Sequence, residues 1–170
     1  MKHYGISPWE INVITSILDK RFKTEDEEIE NTYEDKFVSH LKISFPYSFN
    51  DEFFKWFDFK EWDKLKGVFK EMKRRRGNGK AIKIELNFAG EPDITFVIQS
   101  DQSQWFKMEV EKIDFVVELL PYHLDKDKIP KNVKSIIYNF DQEAARWKIR
   151  TAFADGKKFM NSENGWKLIT

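Results

Sequence analysis

Hydrophobic and polar positions change period several times along this chain, and each change marks an element. Near the N-terminus Ile11, Ile14 and Leu18, flanked by Val13 and Ile17, recur at helical spacing. Ser7 is placed as an N-cap, Pro8 as the first helical residue and Glu10 as the return partner of a capping box, with Ile6 and Ile11 at staple positions. The pattern predicts a helix from Pro8 to about Lys23. Between Phe37 and Phe45 the period falls to two: Leu41, Ile43 and Phe45 alternate with Lys42 and Ser44, which predicts a strand ended by Pro46. Asn50 can cap a short helix with Phe53, Trp56 and Phe57 on one face. Asp58 opens a longer helix that gathers Trp62, Leu65, Phe69 and Met72 on one side, and Gly77 is placed to stop it.

Beyond Lys80 the period is again two. Ile82, Ile84, Leu86 and Phe88 alternate with polar residues, as do Ile94, Phe96 and Ile98 after the turn at 89–93, so a hairpin is expected. Phe106, Met108 and Val110 read as a third strand. Residues 113–120 fit either a strand in shifted phase or a helix, and 121–133, with two prolines, reads as a long polar loop. Residues 135–140 and 145–153 look extended, and short strands at 158–160 and 166–169 close the chain. The resulting expectation is an α+β fold, with two or three helices packed on one face of an antiparallel β-meander, in a single domain spanning 1–170.

Charge sharpens this picture. The chain balances 29 Lys+Arg against 29 Asp+Glu, but unevenly along its length. Residues 55–83 hold eleven bases and four acids, a local net charge of +7, whereas 25–35 hold seven acids and no base. Like charges at this density repel, so the acidic segment, 24–36, is expected as an exposed loop. The absence of cysteine excludes thiol nucleophiles, disulfides and thiolate metal sites. Apolar runs fall far short of the ~20 residues that cross a bilayer, so no membrane partner is expected and the cytoplasm is the expected compartment.

The basic corner Lys73, Arg74, Arg75, Arg76 and Lys80 surrounds two glycines, a combination suited to phosphate oxygens. Arg146, Lys148 and Arg150 alternate with apolar partners, so a strand there would project three cations from one face. Together these eight residues are the candidate nucleic-acid contacts of a small, non-catalytic binding protein. Two plainer readings stand beside this one: a solvated helix face, or neutralisation by the acidic segment. A protein-interaction module (a subunit, inhibitor or immunity-type protein) is the alternative, using the acidic loop or the aromatic run 53–62.

Enzyme motifs fit poorly. Lys80 is followed by Ala81 where a phosphate-binding loop needs Ser or Thr, and no Gly-x-Ser-x-Gly elbow occurs. Pro92-Asp93 with Glu109-Val110-Glu111-Lys112 resembles the PD-(D/E)xK nuclease pattern, which implies acids holding Mg²⁺ and a lysine positioning water. The departure is geometric: Lys112 follows Glu111 by one residue and Glu109 by three, on the opposite face of a regular strand. A metal-dependent nuclease is therefore the third reading. No catalytic residue, metal ligand or cofactor is assigned from the sequence.

Overall fold

The computed structural model describes residues 1–31 and 36–169. Among them are five helices and one nine-stranded mixed sheet, ordered β2-β1-β3-β4-β5-β6-β7-β8-β9. The elements follow the chain as β1 (Lys2–Tyr4), α1 (Pro8–Leu18), β2 (Glu27–Glu28), β3 (Ser39–Phe45), α2 (Asp51–Phe57), α3 (Phe59–Arg76), β4 (Ile82–Phe88) and β5 (Asp93–Ile98). They continue as α4 (Ser103–Glu111), α5 (Val116–His123), β6 (Val133–Asp141), β7 (Arg146–Ala154), β8 (Lys157–Ser162) and β9 (Gly165–Ile169).

This corrects the expected meander. Strands β3 and β4 pair in parallel, as do β5 and β6 and the short β1 and β2. Parallel neighbours need a crossover, and helices supply it: α2 and α3 between β3 and β4, α4 and α5 between β5 and β6. The decisive segment is 106–110, expected as a strand after a turn at 101–104 and found inside α4. Phe106 and Val110 are fully buried at i and i+4, one face of a helix, and Ile113 in the turn that follows is buried with them. Three alternating residues over 106–110 satisfied the strand pattern only by their brevity. Of residues 113–120, 116–120 take the helical option, and α5 runs on through Pro121, so the segment expected as a loop over 121–133 begins inside a helix. The acidic segment is also not wholly a loop, since Glu27 and Glu28 pair with Lys2 and His3. Glu34 and Asp35 lie outside the described residues.

The remaining signals act locally as their chemistry requires. Ser7 Oγ accepts the Glu10 N–H at 3.2 Å, Asn50 Oδ1 the Phe53 N–H at 2.9 Å and Asp58 Oδ1 the Lys60 N–H at 3.0 Å, so α1, α2 and α3 each begin on a side-chain cap. The α1 helix ends at Leu18, short of Lys23, and Asp19 Oδ1 accepts from the Thr24 N–H beyond it. Gly77 closes α3 at φ 76°, and its N–H reaches Lys73 O.

A single aromatic-rich core lies between helices and sheet. Leu41, Ile43 and Phe45, the four apolar residues of β4, and Ile94, Phe96 and Ile98 face it with Trp62, Leu65, Phe69 and Met72 of α3. Phe45 stacks on Phe88 at 4.8 Å and Phe96 on Tyr138 at 4.9 Å. Each such ring contributes roughly 1.5–3 kcal/mol by burial. No described helix is long and apolar enough to cross a membrane.

Candidate functional site

The four consecutive bases at the end of α3 do not form one surface. Lys73 is 1% exposed; its ammonium donates to Gly79 O (3.1 Å) and Asp101 O (2.8 Å) beside the Phe106 ring, and burial lowers its pKa. Arg74 donates from Nε and Nη2 to Glu71 at 2.8 and 2.6 Å. Arg75 donates to the same carboxylate at 3.3 Å and lies over the Trp9 ring. Those hydrogen bonds, Arg74 first, hold Glu71 at a pKa of about 2. Arg76 reaches Ser39 Oγ, Gly5 O and the buried Glu10 carboxylate, 3.0 Å from its Oε2. Gly5 is required there, because a Cβ would stand 2.6 Å from Val38 O. The glycine turn is equally committed: Gly79 N–H donates to Asp101 O, and Asn78 Oδ1 accepts from the Ser103 N–H. Among the described residues, no acid of 25–30 pairs with this corner.

Lys80 behaves differently. It is exposed, its ammonium over the Phe37 ring, and it borders a polar groove of about 450 Å³ at one end of the sheet. There the β5–α4 loop supplies Gln99, Ser100 and Gln102, and β6 with the turn after it supplies Asn139, Phe140 and Gln142. This is the carboxyl end of the parallel pair β5/β6, the usual place for a site in such sheets. Asn139 and Phe140 also line an adjoining cavity of about 330 Å³ with Asp141, Lys148 and Arg150. Lys80 thus borders one cavity and Lys148 with Arg150 the neighbouring one, and Asn139 and Phe140 line both. Arg146, Lys148 and Arg150 are all exposed, alternating with buried Trp147 and Ile149. Lys148 pairs with Asp141 at 2.6 Å. Arg150 forms no ion pair among the described residues.

At the floor of the groove lies Glu109 of α4, 2% exposed. Its Oε2 accepts from the Gln99 and Ser100 N–H groups (3.2 and 3.1 Å), and its Oε1 from Ser100 Oγ (2.7 Å). Burial pushes its pKa up to about 7, against those hydrogen bonds and the Lys73 charge. Gln142 donates to Ser100 Oγ at 3.4 Å, extending the network toward solvent.

The nuclease-like acids do not converge. Asp93 begins β5 and accepts from the Gly90 N–H, whereas Glu109 bonds the residues just beyond the far end of that strand. Glu111 pairs with Lys66 and Lys70, and Lys112 donates to Ala145 O. Among the described residues, no three or more His, Asp or Glu side chains gather as metal ligands. Of the aromatic run, Phe53, Phe54, Phe57 and Trp62 are core, while Trp56 and Phe59 remain exposed.

The amides at 99, 102, 139 and 142 carry no periodic trace and were not singled out by sequence. Only the turn at 101–104 hinted at them. No family model, curated protein or solved structure matches this chain.

Proposed function

We propose that this protein is a non-catalytic binding protein whose groove at the end of the sheet takes a single nucleic-acid strand. The observation that carries the reading is that Lys80 borders a polar groove, Lys148 and Arg150 border the cavity beside it, and Asn139 and Phe140 line both. In this reading Lys80 and Arg150 contact phosphates, the half-buried Phe37 and Phe140 rings offer stacking faces, and the side-chain amides meet base edges. Lys73 and Arg74–Arg76 take no part, because their donors already serve carbonyls and carboxylates of the chain itself. The cytoplasm is the compartment in which we place this activity.

The test is fluorescence anisotropy with labelled oligo(dT) and oligo(U). Two phosphate contacts predict that a tenfold rise in salt weakens binding by about 25-fold. Joint Lys80→Glu and Arg150→Glu replacement is expected to abolish binding, and Arg74→Glu to leave it nearly unchanged. Absence of binding at low salt, or equal loss in the Arg74 variant, removes the reading.

A further inference from the structure

A second surface, independent of the polar groove, lies between α1 and α3 on the outside of the helix layer. Trp9, Val13 and Ile17 form one wall of a cavity of about 520 Å³, and Gly67, Val68 and Met72 form the other. It is open along its length, with Trp9 56% exposed at its rim.

Gly67 is the least explained residue of α3. Glycine inside a helix is unfavourable relative to alanine. Here a Cβ would meet nothing within 4 Å, so no neighbour among the described residues demands the missing side chain. Its absence deepens the groove and lets another backbone come close.

The two ends of the groove share a charge pattern. At one end Lys20 and Lys64 both bond Glu61, at 2.9 and 3.2 Å. At the other end Arg74 and Arg75 both bond Glu71, at 2.6 and 3.3 Å. Two cations share one carboxylate in each case, which leaves a net positive charge at either end of an apolar trough. Glu10, on the floor, is neutralised by Arg76. Lys64 and Arg75 are eleven residues apart on α3, so the two charges stand about 16 Å apart along its axis.

We infer that the α1–α3 groove is a docking site for an acidic amphipathic helix of a partner protein. Its apolar stripe lies against Val13, Ile17, Val68 and Met72, its backbone passes over Gly67, and its acids, about three turns apart, meet the Lys20/Lys64 and Arg74/Arg75 ends. Helix-in-groove recognition uses this combination of apolar anchors and charged rim, and an exposed Trp at the rim is a common hot-spot residue.

The probes are two labelled synthetic peptides of about eighteen residues, both with leucine at helical spacing on one face. One carries a glutamate pair at each end and the other a lysine pair. With the intact chain at low salt, the glutamate peptide is expected to bind and gain helicity by circular dichroism, with the lysine peptide about tenfold weaker or more. Gly67→Leu, which fills the trough, is expected to abolish binding without lowering the melting temperature. The Lys64→Glu/Arg75→Glu variant is expected to reverse the peptide preference. Three results overturn the inference: no binding of the glutamate peptide, equal binding of both peptides, or a dimer of the chain that Gly67→Leu dissociates, which would make a second copy the occupant.

Discussion

Lys73, Arg74, Arg75 and Arg76 are neighbours in sequence, but in space only Arg74 and Arg75 share a partner, the Glu71 carboxylate. Each helical residue turns about 100° from the last, so four consecutive bases point in four directions. One ammonium enters the interior, one guanidinium lies along Glu71, one covers Trp9 and one crosses to α1. A run of like residues on a helix therefore reports local charge but not a shared surface, and this is why the basic corner was legible as composition and not as a site. Glu109 shows the reverse case, an acid marked in sequence only by a nuclease-like pattern that the structure disperses, yet a strongly perturbed carboxyl at the groove. Its folded pKa of about 7 lies above the ordinary value of 4.5, so folding favours its protonated form. Its contribution is most favourable below about pH 4.5 and is lost as pH rises toward and through 7. The shift corresponds to about 3 kcal/mol. Urea denaturation at pH 5 and pH 8 is expected to show the loss in the parent chain and a clearly smaller one in Glu109→Gln, which accepts the same N–H groups without ionising. An unchanged pH dependence in the variant would show that other groups dominate.

At the scale of elements, caps and long periodic stretches were readable because they depend on residues only a few positions apart. Ser7, Asn50, Asp58 and Gly77 each mark a helix boundary in the structure. Asn50→Ala is expected to lower stability by about 1 kcal/mol, measured as a shift in the denaturation midpoint, because the Phe53 N–H loses its acceptor. Gly67→Ala is expected to act in the other direction by a similar amount, since its Cβ enters open space while the helix gains propensity. A loss of stability in Gly67→Ala would mean that the free protein already uses the trough. Segment 103–111 escaped the reading for a physical reason. Its burial is decided by contacts between α3 and α4, such as Lys73 over Phe106, and by Trp147 Nε1 donating to Glu109 O, none of which has a local signature. Once α4 and α5 are helical, β5 and β6 become separable by a crossover, and the antiparallel meander gives way to a mixed sheet.

Across the whole molecule, stability is distributed unevenly along the sheet, and the consequence is measurable. The centre is sealed: Ile82, Ile84, Leu86 and Phe88 of β4 are all completely buried, and β4 has a paired strand on both sides. The last two strands contain no buried residue, and Leu168 and Ile169 of β9 are exposed at the edge. Among the contacts that hold this hairpin are its β7 ladder, Asn161 donating to Ile149 O, and Trp166, which packs on the edge of the core and donates from Nε1 to Lys128 O. Local opening there exposes little apolar surface, whereas opening β4 exposes the core, so the two must exchange their amides through different events. Hydrogen exchange under native conditions is expected to show β8 and β9 exchanging about a hundredfold faster than β4 or more. Trp166→Ala, which removes the tie to Lys128, is expected to accelerate β8 and β9 while leaving β4 unchanged. Equal protection in β4 and β9 would instead mean that the edge opens only with the whole domain, and that a surface leaving Leu168 in solvent is held by contacts beyond this chain's own burial.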